Sequence, residues 1–366
     1  MGRFGHWGRR VGRILAPLVV AILWAIPAWP QQSQADLTKV NIEDLMNIDV
    51  TSVSKKDQKL SQVASAIFVI TQEDIRRSGA TNIPDLLRMV PGMDVAQINA
   101  NTWAISGRGL NAEFANELLV MVDGREIYTP TTGGVFWDVV DIPLEDIERI
   151  EVIRGPGGSV WGANAVNGVI NILTKKAGET KGAMVVAGGG NLDQGFGTAQ
   201  YGGSVGKNFD YRIYSKYLNQ DHSPSLTGQD GGDGWHMLSG GFRTDGTLSS
   251  KDSLTIQGDM YTGNENNPTK ILPSITSPGL IDADIPVALS GGFIQSIWNH
   301  TFSARSETTL MMSYADYERD DNCARAERHS ISTSSTTFPG ADGKISCGAS
   351  GIGIRTRTPM GISLFL

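Results

Sequence analysis

The spacing of apolar and polar residues divides the chain into four stretches. The first is an apolar run from Ile14 to Trp29, preceded by Arg3, Arg9, Arg10 and Arg13 and followed by Ser33-Gln34-Ala35. Basic, then apolar, then small is the layout of a secretory signal peptide. The run is short for a membrane helix, and Pro17, Pro27 and Pro30 punctuate it. Residues 1–35 are therefore expected to be an export signal, cleaved after Ala35. Residues 36–60 form a polar extension in which Asp49-Val50-Thr51-Ser52-Val53 has strand composition and no evident hairpin partner.

Residues 61–176 alternate short apolar runs with helix signals. Ala66-Ile67-Phe68-Val69-Ile70 reads as a buried strand. Thr71 follows as an N-cap with Asp74 at the capping-box position, and Gly79 stands where the helix should end. Thr81 predicts the cap of a second helix through Pro84, Leu86, Leu87 and Met89, ended by Pro91-Gly92. Strands are expected at 118–122, closed by an Asp123-Gly124 turn, and at 150–153 and 169–173. The irregular stretches 99–116 and 128–141 carry Trp103, Phe114, Tyr128, Phe136 and Trp137, many aromatics for loops. Exposed rings on such loops suit a planar or catecholate ligand; the alternative is packing.

From residue 181 onward the period changes to two. Strands are expected near 182–190, 197–206, 209–219, 235–246, 252–263, 291–303 and 307–319. Leu254, Ile256, Gly258 and Met260 alternate with Thr255, Gln257, Asp259 and Tyr261; Phe209, Tyr211 and Ile213 alternate with Asp210, Arg212 and Tyr214. Short turns interleave with long links at 220–234, 264–290 and 320–350. Strands of about ten residues with that asymmetry point to a transmembrane β-barrel, with a soluble β-sandwich as the alternative.

Composition narrows the function. The 366 residues include 44 glycines, well above the usual share of roughly 7%, and 40% are hydrophobic, which excludes disorder. The net charge of −7 offers no basic footprint for nucleic acid. Gly202-Gly203-Ser204-Val205-Gly206 spells a nucleophile-elbow motif, but in alternating sequence rather than between strand and helix. Gly155-Pro156-Gly157-Gly158-Ser159 lacks the Gly-Lys-Ser/Thr of a phosphate loop, and the histidines have no zinc spacing. No enzyme, metal or cofactor is indicated. Cys323 and Cys347 form an even pair in an exported chain and are expected to make a disulfide, with two free thiols as the alternative.

Five ordered blocks carry a family resemblance. They are residues 65–80 (SAIFVITQEDIRRSGA), 86–92 (LLRMVPG), 106–109 (SGRG), 122–125 (VDGR) and 147–156 (IERIEVIRGP), the last continued by 161–165 (WGANA) and 168–172 (GVINI). Together they resemble the plug domain of TonB-dependent outer-membrane receptors. The resemblance implies an α+β plug domain at 61–176, then antiparallel transmembrane β-barrel strands at 181–366, incomplete relative to a 22-stranded barrel. It implies active uptake of a large scarce solute, most often a ferric siderophore, otherwise haem or cobalamin, powered through TonB. The partners implied are TonB with its inner-membrane complex, a metal-chelate or cobalamin-type ligand, and outer-membrane lipid. A binding protein or adhesin without transport is the alternative.

The family keeps its TonB box where Asp49, Val50, Thr51, Ser52 and Val53 stand, an extended segment able to add to a partner's sheet edge. Arg154 resembles the arginine that ties the plug to carboxylates on the barrel wall. The seven strands counted are odd in number, and residues 351–366 show no clean alternation. A chain that cannot close a barrel in lipid is expected to be an N-terminal fragment lacking about fifteen strands.

Overall fold

A computed structural model describes residues 49–50, 58–59, 66–109, 111–129, 132–162, 164–224, 228, 230–271, 281–303, 306–321, 343–348 and 351–365. The signal-peptide expectation lies outside them. Strand β1 (Asp49–Val50) pairs antiparallel with β2 (Gln58–Lys59). Strand β3 (Ile67–Thr71) leads into helix α1 (Gln72–Ser78) through the expected capping box. Thr71 Oγ1 accepts from the Asp74 amide at 3.2 Å, Asp74 Oδ2 accepts from the Thr71 amide at 2.9 Å, and Gly79 ends the helix at φ +71°. Helix α2 (Ile83–Leu87) is capped by Asn82, not Thr81. Pro84 fits only the first turn, which sets the start one residue later than the threonine predicts.

Hairpin β4 (Met93–Gln97) and β5 (Trp103–Gly107) occupies part of a stretch expected to be irregular. Its tip, Ile98-Asn99-Ala100-Asn101-Thr102, carries no glycine or proline to mark a turn. Strands β6 (Leu118–Val122), β7 (Arg125–Glu126), β8 (Ile147–Arg154) and β9 (Gly168–Thr174) complete a five-stranded sheet in the order β3-β8-β9-β6-β7, with helix α3 (Gly158–Trp161) between β8 and β9. The β6–β9 pair is parallel. All five residues of β6 are buried, as a parallel strand covered on both faces requires. Ile70, Leu86, Leu87, Val120, Ile150, Val152, Ile170 and Ile172 form the centre of this core.

A second, nine-stranded sheet follows: β10 (Gly182–Gly188), β11 (Asp193–Val205), β12 (Phe209–Gln220), β13 (Trp235–Thr247), β14 (Asp252–Ile271), β15 (Ile281–Ser303), β16 (Ser306–Asp321), β17 (Gly343–Gly348) and β18 (Gly351–Phe365). Neighbours pair in sequence order up to β16, which then pairs with β18, leaving β17 at the edge and the sheet open. Two expectations are corrected here. Most of the supposed link at 264–290 is strand, because β14 and β15 stay paired without a break from Asp252↔His300 to Ile271↔Ile281. Residues 351–365 are also strand, which with 343–348 makes nine strands rather than seven. β18 is rich in β-branched residues, and Pro359 falls in the register shift opposite Ser313–Ala315, where no ladder amide is needed.

Burial in this sheet is inverted, and that decides between sandwich and membrane barrel. The face turned to the α/β domain holds buried Arg212, Lys216, Arg243, Gln257 and Gln295. The opposite face exposes Val185 at 77%, Met260 at 72%, and Tyr201, Phe209, Ile213, Tyr217, Leu238, Phe242 and Ile294. A water-facing sheet would expose the first set and bury the second; a sheet in lipid does the reverse.

Candidate functional site

The seat of the α/β domain on this wall begins at one turn. Asp123 (φ +46°) and Gly124 (φ +77°) form the two-residue loop between β6 and β7, the positive-φ pair that Asp-Gly favours. Asp123 Oδ2 lies 3.4 Å from Arg243 Nη1 and accepts from Gln257 Nε2 at 3.0 Å, while Gln295 Nε2 donates to the Asp123 carbonyl at 3.1 Å. Inside its own domain Asp123 accepts from the Thr174 amide at 2.9 Å and hydroxyl at 2.7 Å. Arg243 also donates to Thr174 Oγ1 at 2.8 Å and to both carboxylate oxygens of Asp245. Asp245 in turn accepts from the Ala177 amide at 2.7 Å, fixing the segment that joins the two parts.

Among the described residues, four ion pairs cross the interface with acids on the domain and cations on the wall. Besides Asp123–Arg243 they are Asp138–Arg319 at 2.9 Å, Asp146–Arg212 at 3.2 Å, and Asp141–Lys216. Arg319 also pairs with Glu265 and lies 4.6 Å from the centre of the Phe136 ring. One residue reverses the polarity: Arg125 of the domain donates to Tyr317 Oη at 3.0 Å and stacks on Phe293 at 3.6 Å. Burial pushes the Asp146 carboxyl above its ordinary range, with the Arg212 charge opposing. Between the two parts lies a cavity of about 110 Å³, lined by Arg125, Asp141, Tyr214, Asp259, Tyr261 and Phe293 among others.

The sequence-predicted residues separate. Trp103 and Trp137 are buried in the domain core, where their rings pack. Phe114, Tyr128 and Phe136 come together around Gly133–Gly134: the two Phe rings meet edge-on at 5.1 Å, and Tyr128 Oη donates to the Asn116 carbonyl at 3.0 Å. Arg154 donates to the Pro91 carbonyl at 3.0 Å, inside its own domain. A wall carboxylate beside Arg154 is not among the described contacts. Asp49 and Val50 are paired rather than free, and Thr51, Ser52 and Val53 lie outside the described residues. So does Cys323; Cys347 sits in β17, and the disulfide expectation is not described. Arg212, Lys216, Arg243 and Arg319 escaped the sequence reading, although each is a cation on the inward parity of an alternating strand.

Comparison with known proteins agrees with this geometry. Residues 59–169 match the TonB-dependent Receptor Plug Domain. Over 144 residues the chain is 35% identical to the vitamin B12 transporter BtuB of Vibrio vulnificus, a match covering 39% of this chain and 23% of the transporter. It is 34% identical over the same length to BtuB of Vibrio cholerae. Its fold is similar to that of the siderophore receptor PirA from Acinetobacter baumannii (TM-score 0.55, 18% identity, 70% of this chain and 40% of that one). It is similar also to the outer-membrane ferripyoverdine receptor of Pseudomonas aeruginosa (TM-score 0.57, 14% identity, 75% and 37%). The match thus spans about a quarter of the curated relatives' length. A plug domain seated against outward-apolar barrel strands defines the class. Residues 59–169 are thus a TonB-dependent receptor plug domain, and the strands that follow share the fold of the outer-membrane siderophore receptors named above.

Proposed function

We propose that the protein serves the active, TonB-driven uptake of a large scarce solute of the ferric siderophore or cobalamin type. The observation that supports this most is the polar seat of the plug. An apolar interface would seal the plug in place, whereas buried ion pairs contribute little net stability once desolvation is counted. Each of these ion pairs can be exchanged for water, which favours a plug that leaves the wall and returns, while Trp235, Met237, Val287 and Leu289 add smaller apolar contacts to the plug. TonB would capture Asp49-Val50-Thr51-Ser52-Val53 by adding its own strand in competition with β2, whose two-residue pairing is weak enough to lose. Phe114, Tyr128 and Phe136 are the remaining aromatic candidates for contact with a planar ligand.

The test is accumulation of labelled cyanocobalamin and of a labelled ferric siderophore by cells carrying the protein, with and without TonB. TonB-dependent accumulation of either solute supports the reading. Accumulation that survives loss of TonB refutes it.

A further inference from the structure

The tip of the β4–β5 hairpin, residues 98–102, is held by the wall as well as by its own domain. Asp233, 1% exposed and two residues before β13, accepts from the Ala100 amide through Oδ2 and from the Ser223 amide through Oδ1, both at 2.7 Å; the Ser223 hydroxyl donates to it as well. Trp235 Nε1 donates to the Ala100 carbonyl at 3.1 Å and to Gln220 Oε1 at 2.8 Å. Asn101, 2% exposed, donates through Nδ2 to the Asn266 carbonyl at 3.1 Å and the Asp233 carbonyl at 3.4 Å. Both backbone polar groups of Ala100 and the side-chain amide of Asn101 are therefore engaged by β13, β14 and the 221–234 link. Beside them Ile98 stays 56% exposed. The contacts lie at the end of the sheet where the long links run, opposite the tight turns at 206–208 and 248–251.

We propose that Asp233 is a positioning residue that clamps the plug tip to the wall, so that Ile98 and Asn99 face incoming solute as part of a surface built jointly by plug and barrel. A buried carboxylate taking two amides from two separate segments fixes their spacing more firmly than neutral partners would. The solute-facing role rests on the receptor function proposed above; the clamp itself does not.

The experiment uses the full chain in outer membranes, carrying Cys323→Ser and Cys347→Ser, with a nitroxide on Ile98→Cys. A second label on Val166→Cys, an exposed plug position away from the tip, serves as reference. Asp233→Ala should shorten the correlation time of the label at 98 at least threefold and leave that at 166 unchanged. Asp233→Asn, which keeps one acceptor oxygen, should fall between. An unchanged label at 98, or equal loosening at both positions, overturns the clamp. Cyanocobalamin and ferric siderophore binding are then measured on the same membranes. A tenfold loss of affinity in Asp233→Ala for the solute that binds supports the solute-facing role, and full affinity with a loosened tip overturns it. If the unsubstituted chain binds neither probe, the receptor reading fails while the labels still decide the clamp.

Discussion

Asp123 of the plug stands 3.4 Å from Arg243 of the wall, across a turn that only a positive-φ pair can make. The carboxylate is shared with Gln257 and Thr174, so plug turn, plug strand and two wall strands meet at one group, while Gln295 of a third bonds the Asp123 carbonyl. Replacing Arg243 with Met removes the cation that pairs with both Asp123 and Asp245 in a half-buried seat. Breaking one side of such a pair costs about 3–5 kcal/mol. Protease protection of the plug in refolded protein should fall accordingly, while Arg243→Lys retains part of it. Unchanged protection in Arg243→Met would show that the knot does not hold the plug.

Gly124 makes a second demand on the same turn. Its φ is +77°, and a Cβ built there lies 2.8 Å from Met311 Cε. Gly124→Ala should cost about 1–2 kcal/mol for the left-handed backbone alone. Met311→Ala should relieve the contact but not the backbone cost, so the double variant recovers only in part. Denaturant midpoints of the three variants check this.

Asp146 gives the interface a pH dependence with a definite sign. Its folded-state pKa is raised by burial, so between the ordinary carboxylate range and that raised value the folded protein holds a proton that the unfolded chain releases. The contribution of this group is fully present below the unfolded pKa and is lost as pH rises through the folded one. Burial also pulls the nearby Lys175 ammonium down, but that group titrates on the alkaline side. Denaturation measured from pH 4 upward should show stability falling across the Asp146 window, and Asp146→Asn should flatten it. An identical slope in both proteins would remove Asp146 as its source.

Val50→Pro, at a residue 1% exposed and paired with Gln58, takes away a backbone donor. The expected outcome is loss of uptake with solute binding intact. Retained uptake would free this segment from the TonB role.

Trp137→Ala should behave differently from changes at Phe136. The Trp137 ring is in the core, and large-to-small core changes of this kind cost about 3–5 kcal/mol. The half-buried Phe136 ring meets Phe114 and Arg319, so Phe136→Ala should alter solute affinity at little cost in stability. Denaturation and binding, measured together on both variants, separate the two roles.

Legibility followed the physical constraints on each segment. The β3–α1 unit was readable because a capping box and a C-terminal glycine are local signals. The lipid-zone strands were readable because lipid imposes strict alternation, as at Leu254–Tyr261. The same strands were missed above residue 263, where lipid no longer polices the outward face and Asn, Asp and Thr occupy both parities. The seat itself was out of reach: Lys216 finds Asp141 75 positions away and Arg319 finds Asp138 181 away, separations that no local pattern encodes. Arg154 shows the same limit, since a motif names a residue but not the carbonyl of Pro91 that it meets.

The central claim is that one face of the wall meets lipid and the other meets the plug. Single cysteines at outward Ile213, Leu238 and Met260 and inward Arg212, Ser239 and Gln257, each in a cysteine-free background, can carry a small fluorophore in bilayers containing brominated lipid. Strong quenching at 213, 238 and 260 with weak quenching at 212, 239 and 257 is the predicted result. Equal quenching at the two sets would contradict the account.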